Sequence, residues 1–181
     1  MTIFSIKTDK LADVIKSITA LQKKSVYVGV PESTTQREGE PENNATLAYI
    51  HDNGSPATNI PARPFLREGV EEGLPKCEKQ LKKAVDLALA GKSTEPALHG
   101  VGLSAQNAVR HYMSTADFVP LSKYTLEQRV KRAGIGVKIG KGAQAELDAR
   151  ARGEAPSNEN ARPLIDTGEL RKSITYAIRG E

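Results

Sequence analysis

Tryptophan is absent from this 181-residue chain, and aromatic residues make up only 4% of it. Aromatic side chains carry the largest buried areas per residue, so their scarcity excludes a core built around them. It also argues against a stacking platform for single-stranded bases. A single cysteine, Cys77, excludes an intrachain disulfide and a cysteine-cluster zinc site, and fits folding in a reducing cytoplasm. The three histidines, His51, His99 and His111, are scattered without the spacing of a metal pair. No metal or cofactor is therefore expected. No apolar run approaches the roughly 20 residues of a membrane span, and the opening residues lack a signal-peptide pattern, so no membrane partner is expected.

What is present is modest. Hydrophobic residues are 38% of the chain, a lean share that suits a protein completing its burial against neighbours. The formal net charge of +4 is mildly basic, short of the density of a dedicated nucleic-acid binder. One domain is expected over 1–181. Residues 2–7 read as a strand and 9–23 as an amphipathic helix, with Leu11, Val14, Ile15, Ile18 and Leu21 at helical spacing. Val26, Val28 and Val30 alternate as a second strand, and 31–44 is a polar, mobile loop. A helix over 64–90 carries Leu74, Leu81, Val85 and Leu89 as its core stripe. Gly69, Gly73 and Pro75 predict a kink or restart near Leu74. Helices over 96–114 and 122–132 follow. Residues 133–162 are rich in Gly, Ala, Asn and charge, and read as a flexible excursion with room for one short strand. Asp166 or Thr167 caps a short helix, and Ile174, Tyr176 and Ile178 alternate as a last strand. The expected class is α+β: a small antiparallel or mixed sheet, helices packed on one face, and long flexible loops.

The most informative stretch is Leu47-Ala-Tyr-Ile-His-Asp-Asn-Gly54 followed by Ile60-Pro-Ala-Arg-Pro-Phe-Leu66. The first part reads as a short helix capped by Asn43 or Asn44 and ended by Gly54. The second cannot be regular, because Pro61 and Pro64 lack donors and force Ile60 and Arg63 toward extended geometry. A stiff linker thus delivers Phe65 and Leu66 to the head of the long helix. These residues, together with Pro163-Leu-Ile-Asp-Thr-Gly-Glu-Leu-Arg-Lys-Ser-Ile-Thr-Tyr176, resemble a family of virion proteins of long-tailed bacteriophages, the neck or tail-completion proteins. The resemblance covers most of the chain from about Lys24. Asp52 and Asn53 stand where the family usually has an acidic residue and an aromatic before the glycine.

The resemblance implies a non-enzymatic structural protein at the phage head–tail junction, made in the host cytoplasm and carried in the virion. Its partners would be further copies of itself in a ring, six-fold ahead of twelve-fold, with a head-closure or connector protein and a tail terminator or tail tube protein. The residues expected at subunit or partner contacts are Ile60, Arg63, Phe65, Leu66, Asp166, Leu170 and Arg171, with the Arg63 fork directed at a neighbouring subunit. A second reading rests on eight basic residues against three acidic ones from Lys123 to Arg152. Clustered cations gain by displacing counterions from phosphate. Lys131, Arg132, Lys138 and Lys141 would then contact double-stranded DNA in the lumen, or serve a basic DNA-binding protein.

Catalytic motifs fare worse. Asp166-Thr-Gly matches the aspartic-protease tripeptide, but that chemistry needs a second carboxylate and a downstream sheet, and thirteen residues follow Gly168. Gly91-Lys-Ser lacks the first glycine of a P-loop, since Asp86 stands in its place. Cys77 reads as a half-buried or surface thiol. No catalytic residue is nominated.

Overall fold

The computed structural model describes residues 11–32, 43–133 and 138–180. The expected strand over 2–7 and most of the loop over 31–44 lie outside them. Seven α-helices and two strands appear among the described residues: α1 (Leu11–Gln22), β1 (Lys24–Gly29), α2 (Asn44–Asn53), α3 (Phe65–Leu89), α4 (Glu95–Thr115), α5 (Lys123–Ala133), α6 (Lys138–Ala151), α7 (Glu169–Ser173) and β2 (Thr175–Gly180). The class is α+β, as expected. Contacts gather into two compact units, one drawn from Met1–Gly29, Val70–Ala108 and Thr175–Glu181, the other from Val30–Gly69 and Val109–Ile174. The boundary falls inside α3 and inside α4.

In unit 1, β1 and β2 form an antiparallel two-stranded sheet, with Val26 opposite Ile178 and Val28 opposite Tyr176. Strand alternation puts these four on one face, where Val26 and Val28 pack on Cys77, Val101 and Ala105. Tyr27 points the other way and is capped by the Arg179 guanidinium, 5.7 Å above its ring.

The long helix differs from expectation in two ways. It runs unbroken from Phe65 to Leu89 with Pro75 inside it. From Val70 onward its buried face is made of small residues, Gly73, Cys77, Ala84 and Ala88, while Leu74, Leu81, Val85 and Leu89 are 44–54% exposed. The reason is close approach. A Cβ on Gly73 would lie 2.5 Å from the Ala108 Cβ, so α4 comes too near for a leucine on that face. Periodicity finds a shared face but does not say which face is covered. Cys77 is accordingly a core residue, 5% exposed, and burial pushes its thiol pKa up; the surface-thiol expectation is corrected.

In unit 2, Asn43 caps α2 by accepting from the Thr46 amide at 2.8 Å, and Gly54 ends it with φ 78°. A Cβ on Gly54 would sit 2.8 Å from the Ala62 nitrogen, so the position requires glycine twice over. Residues 133–162 are the main correction. They hold α6, which packs on α5 around Leu121, Leu126, Ala143 and Ala161, and α6 buries Gly140, Ala143, Glu146 and Ala149. The residues after α6 are tied to Glu146. Its carboxylate accepts from the Ser157 amide at 2.8 Å, the Ser157 hydroxyl at 3.2 Å, Asn160 at 3.3 Å and Arg150 at 3.0 Å. A buried carboxylate can organise a polar segment as an apolar cluster would, provided its oxygens are satisfied. The segment's polar composition therefore concealed an ordered element. The short strand allowed there does not form at Lys138 and Ile139, which lie in α6.

Candidate functional site

The proline linker is fixed from both ends. Ser55 and Ile60 exchange backbone hydrogen bonds of 2.8 and 2.9 Å across a tight turn through Pro56–Thr58. The Arg63 amide donates to the His51 carbonyl at 2.7 Å. Asp52 accepts from the Leu66 amide at 2.9 Å, satisfying an orphan donor at the start of α3. Pro61 and Pro64 have no backbone donors to place, so the linker carries fewer amides that need partners.

Arg63 is turned inward. It is 5% exposed, and its Nε and Nη2 both donate to the Val119 carbonyl, at 3.2 and 3.0 Å. Two donors of the fork expected to reach a neighbouring subunit instead clamp the carbonyl of residue 119 in its own chain. Phe65 is fully buried and Leu170 is 6% exposed, so these two also support the surface rather than form it. Ile60, Leu66 and Asp166 are half-buried and Arg171 is exposed, with its Nε on the Arg110 carbonyl at 3.2 Å.

Asp166 does not cap α7. The cap position belongs to Gly168, at φ 84°, and Thr167 accepts weakly from the Glu169 amide at 3.4 Å. Asp166 instead joins two arginines of α5. It pairs with Arg132 and lies 3.8 Å from the Arg129 Nε. Its carboxylate thus faces two guanidiniums, a structural ion-pair arrangement unlike the two carboxylates sharing a proton that protease chemistry needs. Arg129 is 6% exposed, and its Nη1 donates to the Arg162 carbonyl at 3.0 Å. Burial lowers the pKa of both Arg63 and Arg129; the Arg129 guanidinium lowers that of Arg63 further, while for Arg129 the Asp166 carboxylate works against burial and Arg132 adds to it.

The two sequence motifs, about a hundred residues apart, thus meet. Ile60, Pro61 and Arg63 from one, and Leu164, Asp166 and Leu170 from the other, line a single groove of about 530 Å³ with Val119–Leu121 and the Tyr124, Gln128, Arg129 and Arg132 side chains of α5. Sequence reading missed Val119, Arg129 and Tyr124 as members. Nothing local marks Val119, whose role is its backbone carbonyl. Arg129 was visible only as part of a charge count.

That charge count overstated free cations. Of the eight basic residues, Arg129 and Arg132 meet Asp166, Arg150 meets Glu146 and the Leu121 carbonyl, and Arg152 meets Glu154. Lys131, Lys138 and Lys141 are exposed, on the last turn of α5 and the first of α6. Among the described residues no group of three or more His, Cys, Asp or Glu could hold a metal ion, and no helix is long and apolar enough to cross a membrane. Comparison with protein-family models, with characterised proteins and with solved structures finds no match to this chain.

Proposed function

We propose that the chain is a non-enzymatic structural protein of the head–tail junction of a long-tailed phage. It assembles as a ring that joins the head connector to the tail or completes the tail's proximal end. The observation that carries this reading is the convergence of the two motifs behind the family resemblance on one groove of unit 2. Residues so far apart in sequence and so close in space behave as one recognition feature. The buried Arg63 and Arg129 clamp backbone carbonyls at Val119 and Arg162, which suits a rigid surface better than a reacting centre. The exposed apolar face of α3 supports assembly, since a row of large aliphatic side chains on one helix marks a surface with a partner. A ring places such contacts head-to-tail around a closed axis.

Duplex DNA in the lumen is a further partner in this proposal, and the exposed Lys131, Lys138 and Lys141 are its contacts. Negative-stain images and light scattering of the concentrated chain should show closed rings, and labelled antibody should mark the neck of purified virions. Monomers at every concentration, together with absence from virions, would refute the reading.

A further inference from the structure

We propose that the unit 2 groove is a docking slot for an acidic, extended peptide segment of a neighbouring protein, one of whose carboxylates enters among Arg63, Arg129 and Arg132. The first support is charge. Three guanidiniums and one carboxylate, Asp166, line the groove, leaving an excess of two positive charges. Two of the three guanidiniums belong to residues no more than 6% exposed, where like charges are poorly screened. Each is only partly committed: Arg63 uses Nε and Nη2 on the Val119 carbonyl, and Arg129 uses Nη1 on the Arg162 carbonyl while its Nε faces Asp166 at 3.8 Å. An arriving carboxylate would take the remaining N–H donors in the fork geometry that arginine offers.

The second support is shape and lining. The groove's volume of about 530 Å³ is of the size that holds small ligands and short segments. Its walls are Ile60, Pro61, Val119, Pro120 and Leu121, and Val119 is 54% exposed. Two prolines on the wall leave few backbone donors for strand addition, so recognition falls to side chains: aliphatic contacts along the walls and a carboxylate at the arginines. A nucleic-acid duplex fits less well. It presents phosphates on a convex surface, gains little from aliphatic walls, and is repelled by Asp166. The inference rests on the structural reading above only for the source of the segment, a partner in the assembly.

The test uses the full chain and a fluorescein-labelled octapeptide of Glu, Leu and Pro, followed by anisotropy over a salt series. Saturable binding should appear and weaken as salt rises. The same peptide with Gln for Glu should lose at least tenfold in affinity. Arg132→Glu, at a largely exposed side chain, should lose at least tenfold. Gln128→Glu adds a negative charge to the groove wall and should lose several-fold, which keeps the test valid if Arg132→Glu melts early. No saturable binding, equal binding by the Gln peptide, or equal binding by both variants overturns the slot. Tighter, Gln128-sensitive binding of a 12-base-pair duplex reassigns the groove to nucleic acid and overturns it too. Rings without peptide binding would sink the slot and spare the structural reading; peptide binding by a chain absent from virions would do the reverse.

Discussion

Along α3 in unit 1 the buried positions are Gly73, Cys77, Ala84 and Ala88, whereas unit 2 buries Phe65, Leu126 and Ile174 together with Arg63, Arg129, Glu146 and Asn158. The buried charged residues among those described all fall in unit 2. In unit 1 the α3 face is held by close backbone approach to α4 at Gly73, and the larger aliphatic side chains of α3 stay half in water. Unit 2 holds a polar loop in place with side-chain hydrogen bonds, as where the Asn158 side chain donates to the Phe118 carbonyl at 2.5 Å and to Asp117 at 2.8 Å. The difference is in what each can tolerate. A tight small-residue contact fails when volume is added, and a buried carboxylate fails when its charge is removed.

The largest expected effect breaks unit 2. Glu146→Ala leaves Arg150, the Ser157 amide and Asn160 without their acceptor; removing one side of a buried pair costs about 3–5 kcal/mol. Chemical denaturation should show that loss, and limited proteolysis should begin within 152–162. Cleavage beginning elsewhere would refute the staple. Next comes Arg63→Lys. It keeps the charge but loses the two-donor clamp on Val119, and hydrogen bonds from charged groups contribute about 1.5–3 kcal/mol. A thermal melt should therefore fall, whereas a melt unchanged from the parent would return Arg63 to the role of a pure subunit contact.

Gly73→Ala is the matching break in unit 1. Its Cβ meets the Ala108 Cβ at 2.5 Å, and overpacking costs about 1–3 kcal/mol. Better helix propensity offsets this by up to about 1 kcal/mol. A net loss is expected, and a more stable variant would mean that α4 shifts freely. Smaller still is Leu81→Ser on the exposed face. Stability should change by no more than about 0.5 kcal/mol, while ring assembly read by light scattering should weaken; full assembly would exclude that face from the contact.

The smallest effect is in pH. The Lys24 hydrogen bond and charge hold the Glu95 carboxyl below its usual range. Because the folded value is depressed, this contribution is present above the unfolded carboxylate pKa and is lost as pH falls through the folded one. Lys24→Met should flatten that acid limb slightly. The carboxyl of Glu146 adds to the same limb. Desolvation pushes it up, but Ser157, Arg150 and Asn160 outweigh that and hold it low. A limb unaltered in Lys24→Met would assign the acid loss to Glu146 alone.

The sequence by itself determined the punctuation and most elements. Asn43 or Asn44 and Gly54 mark the ends of α2, the prolines force an extended linker, and alternation at Val26, Val28, Tyr176 and Ile178 marks both strands, because caps, donors and period-two faces are local properties. Tertiary structure alone decided which face of α3 is covered, since that depends on how near α4 lies at Gly73. It decided that Asp166 pairs with Arg129 and Arg132 instead of capping α7, and that Arg63 grips Val119, because ion pairs and clamps join residues tens of positions apart. It also turned 138–162 from an apparent solvated excursion into part of the core. A buried Glu146 looks identical in sequence to an exposed one; only the partners that reach it, Arg150, Ser157 and Asn160, make its burial stable.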